Sequence, residues 1–130
     1  MFSLPLTVQY VKADDTKVLP EPVITAKALS FAELITRESE KHGVSANLAL
    51  SIARCESSIK QYNGDGTVLR GRINPQDVGL FQINEKYHLE DSRKLGFNIY
   101  ESEGNIGYAV YLLRTQGSQP WFWSASCWQG

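Results

Sequence analysis

Residues 45–57 constrain this chain most. Leu48, Ile52 and Cys55 stand at i, i+4 and i+7, with Ala49 and Ala53 beside them, so the segment reads as a helix starting near Ser45 or Asn47. The small alanines let a second helix approach closely. Glu56 closes this helix at the edge of its apolar stripe, and an irregular polar connection over residues 58–77 follows. A carboxyl held against apolar surface keeps its proton to higher pH. The negative end of the helix dipole pushes the same way. The plainer alternative for Glu56 is a solvated helix-terminal acid paired with Arg54 or Lys60.

The surrounding elements are mostly helical. Ser30 and Glu33 form a capping box ahead of Phe31, Leu34 and Ile35, and Gly43 supplies a stop. A short helix is expected over Phe81 to Tyr87 and another over Asp91 to Leu95, stopped by Gly96. The last clear helix runs from about Ser102 to Gln116, with Ile106, Ala109, Val110 and Leu113 on one face and Gly117 at its end. Within 58–77, the turn dipeptides Asn63-Gly64 and Asp65-Gly66 precede Thr67-Val68-Leu69 and Arg72-Ile73-Asn74, which could pair as a small hairpin about Arg70-Gly71. The expected fold class is therefore mainly α, a compact helical domain over 29–130 with a small β-hairpin after the helix that ends on Glu56. Residues 1–28 read as an N-terminal arm or linker. Within them Val11-Lys12-Ala13 is similar to the cleavage site of a signal-peptide remnant, and 14–28, with Pro20 and Pro22, reads as a linker or extended strap.

Composition excludes some functions. The net charge of -1 argues against a nucleic-acid partner, which draws a basic excess. No apolar run approaches the ~20 residues of a membrane helix. No metal-ligand spacing, phosphate-binding glycine loop or Ser-His-Asp arrangement is present, so neither metal nor cofactor is expected, and His88 reads as a surface or half-buried histidine. Cys55 and Cys127 are either two buried free thiols or one disulfide tying the Glu56 helix to the C-terminal tail. A disulfide would imply an extracytoplasmic location, in the cell envelope or secreted. Trp121, Trp123 and Trp128 crowd the last ten residues. Core plugs are the expectation for Trp121 and Trp128, while Trp123 stands open between core and a platform for sugar rings.

Glu56-Ser57, followed by Gly79-Leu80-Phe81-Gln82-Ile83-Asn84 and by a helix with Asn105-Ile106, Tyr108-Ala109 and Leu112-Leu113, resembles the soluble lytic transglycosylase family of lysozyme-like enzymes. The resemblance covers about residues 29–128, with Phe81 where methionine is usual. It implies a lysozyme-like fold and cleavage of peptidoglycan glycan strands between N-acetylmuramic acid and N-acetylglucosamine, giving 1,6-anhydro ends. Glu56 would be the single catalytic acid/base, and Ser57, Gln82, Asn84 and Trp123 would bind the glycan. A monomer is expected.

The chain departs from the family in two places. Ser58-Ile59-Lys60 follows the Glu-Ser pair where a small residue and an Asn-Pro turn are usual. Ser124-Ala125-Ser126-Cys127-Trp128 replaces an Ala-Tyr-Asn segment whose tyrosine contacts the catalytic carboxyl. Ser126, Tyr62 and Tyr87 are the candidate replacements for that contact. Two other functions compete. One is a hydrolytic muramidase with a second carboxylate, for which Asp77 is better placed than Asp65 or Glu85. The other is a non-catalytic glycan-binding module.

Overall fold

The computed structural model describes residues 6–10, 22–26 and 28–130. Strands β1 (Leu6–Tyr10) and β2 (Pro22–Ala26) pair antiparallel, with Leu6 opposite Ala26 and Tyr10 opposite Pro22. These stretches, read as an N-terminal arm or linker, thus pair with each other through their backbones. The Val11-Lys12-Ala13 site lies outside the described residues.

Helix α1 (Phe31–Lys41) begins on the expected capping box: Ser30 Oγ accepts from the Glu33 N–H, and the Glu33 carboxylate accepts from the Ser30 N–H. Helix α2 (Ala46–Ser57) begins on Ser45, whose hydroxyl accepts from the Leu48 N–H. Its buried face is Ala49, Ile52, Ala53 and Ser57. The stripe is therefore rotated from the expected one, since Leu48 and Cys55 are only partly buried. Helix α4 (Ser102–Gln116) buries Ile106, Ala109, Val110, Leu112 and Leu113, and α1 packs against both α2 and α4. Ala49 and Ala53 are wholly buried, as expected of small residues where helices meet closely.

The hairpin differs from expectation. Thr67–Leu69 does not pair with Arg72–Asn74. Instead the backbone forms a short meander, in which Leu69 N–H donates to Gln61 O, Gly79 N–H to Leu69 O, and Gly71 N–H to Asp77 O. The regular part is β3 (Asp77–Val78) paired with β4 (Ile83–Asn84). Burial decides this register, because Val78, Leu80, Phe81 and Ile83 carry the apolar side chains that complete the core, whereas Ile73 is fully exposed. The segment expected as a helix from Phe81 is accordingly strand and turn. Helix α3 runs unbroken over Glu85–Lys94 from an Asn84 cap, merging the two short helices expected there. The tail follows α4 as a 3-10 turn (Gln119–Ser124) and a short helix α5 (Ala125–Trp128), and both contact α2. Among the described residues no helix is long and apolar enough to cross a membrane.

Candidate active site

Glu56 lies four residues after Ile52 and three after Ala53, so it flanks the buried face of α2 and is half-buried. The helix stops abruptly behind it. Ser58 and Ile59 both adopt left-handed conformations, with φ of 57° and 58°. Ser58 N–H donates to Arg54 O at 2.9 Å, and Ile59 N–H reaches back to Ala53 O at 3.3 Å, so both left-handed residues still satisfy carbonyls of the last turn. A β-branched residue is strained there, and its packing against the core holds it in place.

The Gly79-Leu80-Phe81 turn faces this helix end, and its backbone groups are satisfied by side chains from several elements. Ser57 Oγ is 2.7 Å from Leu80 O. Gln61 Oε1 accepts from the Leu80 N–H at 2.9 Å. Asn105 Oδ1 accepts from the Phe81 N–H, and its Nδ2 donates to Val78 O and Ile99 O, all at 2.9 Å. Trp121 Nε1 donates to Phe81 O at 2.8 Å. Unpaired, these groups would each cost about 1–3 kcal/mol. Gly79 sits at φ 75°, and a Cβ there would come within 2.5 Å of both Asn105 Nδ2 and Gln61 Oε1. Gln61, wholly buried, is a structural residue that sequence reasoning missed; nothing in its polar surroundings marks it.

The expected glycan contacts divide. Ser57 is buried and its hydroxyl is committed: it donates to Leu80 O or Ala53 O and accepts from the Lys60 N–H. It is a strut beneath the turn. Asn84 caps α3 through the Tyr87 N–H and donates to Asp77 Oδ1 at 2.9 Å, so its amide is also largely engaged. Gln82 is partly exposed at φ 50° and gives one amide hydrogen to Gly79 O. Trp123 is 94% exposed, with Phe122 edge-on to it at 5.8 Å between ring centroids. Trp121 is a core residue at 4% exposure.

The tail closes on Glu56. Ser124 Oγ lies 2.5 Å from Glu56 Oε1 and 3.1 Å from Trp128 Nε1. Ser124 thus fills the place for which Ser126, Tyr62 and Tyr87 were the candidates. Ser126 is exposed, because the 3-10 turn before α5 directs Ser124 at the carboxyl. Cys55 and Cys127 form a disulfide with their Cα atoms 6.0 Å apart, so the thiols are not free, and the bridge fastens α5 beside Glu56.

Burial pushes the Glu56 carboxyl above its ordinary pKa. The Ser124 hydroxyl opposes this, and the negative charge of Asp77 adds to the upward shift. Glu56 therefore has the environment of a proton donor. Asp65 and Glu85 are held the opposite way. The Thr67 hydroxyl, followed by its N–H, holds Asp65 below the usual carboxylate range, and Arg70, followed by Tyr100, does the same to Glu85. Glu85 is a brace: it bonds Arg70 Nη1 at 2.9 Å and Tyr100 Oη at 2.6 Å, while Arg70 also holds Pro75 O. His88 is half-buried with Nδ1 2.8 Å from Tyr108 Oη, and burial lowers its pKa. Comparison with known proteins returns no match: no family model, no curated protein and no solved structure.

Proposed function

We propose that this chain is a lysozyme-like lytic transglycosylase that cleaves the glycan strands of peptidoglycan, with Glu56 as its single acid/base. The observation that carries this reading is the half-buried Glu56 carboxyl, raised in pKa and hydrogen-bonded by Ser124. The Glu-Ser pair and the Gly-Leu-Phe-Gln turn packed against each other add the resemblance to the transglycosylase family. Trp123 and the partly exposed Gln82 supply a ring-stacking face and an amide for sugar hydroxyls.

The reaction runs in two halves. Protonated Glu56 gives its proton to the glycosidic oxygen as the bond from C1 of the N-acetylmuramic acid breaks, and positive charge develops at C1. The Glu56 carboxylate then removes the proton from that sugar's 6-hydroxyl while O6 attacks C1. The 1,6-anhydro sugar forms, no water is consumed, and Glu56 ends protonated. The disulfide fits an extracytoplasmic place of action, where such a bond persists.

A hydrolytic muramidase is the second reading, favoured by one observation: the charge of Asp77 acts on Glu56. Mass spectrometry of digested peptidoglycan separates the two. Anhydro ends, absent with Glu56→Gln, are the expected products. Exclusively hydrated reducing ends, abolished by Asp77→Asn, would establish hydrolysis instead. Glycan binding with no turnover in wild type would leave a binding module.

A further inference from the structure

The catalytic scheme asks one carboxyl to be a donor and then an acceptor, and each state needs a different hydrogen-bond partner. Three groups meet Ser124 Oγ. Glu56 Oε1 lies at 2.5 Å, Trp121 O at 3.1 Å and Trp128 Nε1 at 3.1 Å. A serine hydroxyl has one hydrogen and two acceptor lone pairs. The indole N–H can only donate and a backbone carbonyl can only accept, so these two contacts have fixed direction. The contact with Glu56 is the one that can run either way.

We propose that Ser124 is a positioning residue for the Glu56 reaction, its hydroxyl reversing direction as Glu56 loses and regains its proton. This rests on the transglycosylase reading. With Glu56 ionised, Ser124 donates its hydrogen to Oε1 and accepts from Trp128 Nε1. With Glu56 protonated and no glycan bound, the carboxyl O–H donates to Ser124 Oγ and the serine hydrogen turns to Trp121 O; when the glycan arrives, that O–H turns to the glycosidic oxygen. Trp128 Nε1 donates to the oxygen in both states and also lies 3.2 Å from Trp121 O. Neither state leaves the hydroxyl hydrogen without an acceptor, and no heavy atom moves. The proton transferred in the reaction stays on Glu56 or the sugar oxygens throughout.

The scaffold is built around this hydroxyl. Trp121 is anchored in the core through Phe81 O, which fixes the carbonyl that accepts from Ser124. Cys127, bridged to the residue before Glu56, holds Trp128 against the serine. The 3-10 turn and α5 carry no charged side chain, and the charge acting on Glu56 is Asp77 from β3. The hydroxyl is therefore the tail's one means of following the charge on Glu56. It also stands where the family's tyrosine would act, so a shorter side chain on a disulfide-held helix does the work of a longer one.

The test uses the full chain with Ser124→Ala, Ser124→Thr and Trp128→Phe. Two readouts are taken: the Glu56 carboxyl titration by carbon-detected NMR, and the pH profiles of kcat and KM on purified peptidoglycan. Ser124→Ala should move the Glu56 titration upward, because the ionised form loses its donor. It should lower kcat on the order of 10–100-fold with KM little changed, the loss expected for a hydrogen bond to a charged group. Ser124→Thr, which keeps the hydroxyl, should restore both readouts. Trp128→Phe, which removes only the N–H, should shift the titration in the same direction by less. Unchanged titration and kcat in Ser124→Ala, or equal losses in Ala and Thr, would overturn the proposal. The titration needs no turnover. A titration shift in Ser124→Ala when the wild-type protein makes no anhydro product would retain the coupling and overturn the transglycosylase reading alone.

Discussion

Replacing Asn105 by aspartate tests how the buried turn is held, because it changes hydrogen-bonding capacity at constant shape. Asn105 is wholly buried, receives the Phe81 N–H on Oδ1 and gives both amide hydrogens away, to Val78 O and Ile99 O. A protonated carboxyl can still accept from Phe81 and donate to one carbonyl. The other carbonyl loses this bond; Ile99 O also accepts from Gln61 Nε2 at 3.3 Å, so the cost is that of one net hydrogen bond, about 1 kcal/mol. An ionised carboxylate would face two carbonyl oxygens and is worse. The folded protein therefore holds the introduced carboxyl protonated, with its pKa raised by roughly 3 units as is usual for a buried acid. Below the unfolded pKa, near 4, both states carry the proton and only the lost hydrogen bond counts. As pH rises past that value the unfolded chain releases its proton and the folded one does not. Stability then falls by ~1.4 kcal/mol per pH unit, up to roughly 4 kcal/mol more by neutral pH. The total approaches the whole stability of a small domain. Urea unfolding of wild type and Asn105→Asp at pH 4 and pH 7 measures this. A stability difference that is the same at both pH values would refute the reasoning, as would one under about 1 kcal/mol at pH 7.

Other outcomes follow from the same structure. Glu56→Gln should be more stable than wild type at neutral pH, and the two should converge in acid. The raised carboxyl pKa contributes stability below the ordinary carboxylate range that is lost as pH rises through the folded value, and denaturation curves across pH report it. Cys127→Ser removes a link between residues 72 apart, worth about 4 kcal/mol in the chain-entropy model. Its melting temperature should fall by roughly 15–20 °C, and a drop under 5 °C would contradict the estimate. Gly79→Ala combines a left-handed backbone with displacement of Asn105 and Gln61, so calorimetry should show a loss of roughly 3 kcal/mol or more. Trp123→Ala should leave stability within about 0.5 kcal/mol of wild type while weakening glycan binding, which sedimentation with insoluble peptidoglycan measures.

The helix start at Ser30, a second start near Ser45 or Asn47, the stops at Gly43 and Gly117, the span of α4, and the place of Glu56 at a helix end were all legible in the sequence. Each depends on residues within a turn or two of one another, where capping bonds and the 3.6-residue period act without help from the rest of the chain. The pairing partner of Val78, the uses of Ser57 and Asn84, and the hydroxyl that meets Glu56 depended on the tertiary structure. A two-residue strand has too little period to declare its register, so burial of Val78, Leu80 and Phe81 sets it, with Gln61 and Asn105 supplying the missing backbone partners. Ser124 stands 68 residues from Glu56, in a tail with several candidate hydroxyls. Only the 3-10 turn, the buried Trp121 and the Cys55–Cys127 bridge select it. The sequence by itself therefore determined that a carboxylate would close a helix beside apolar surface. The packed tail decided which hydroxyl meets that carboxylate, because a hydrogen bond across such a separation forms only where the core and the disulfide have already brought both ends together.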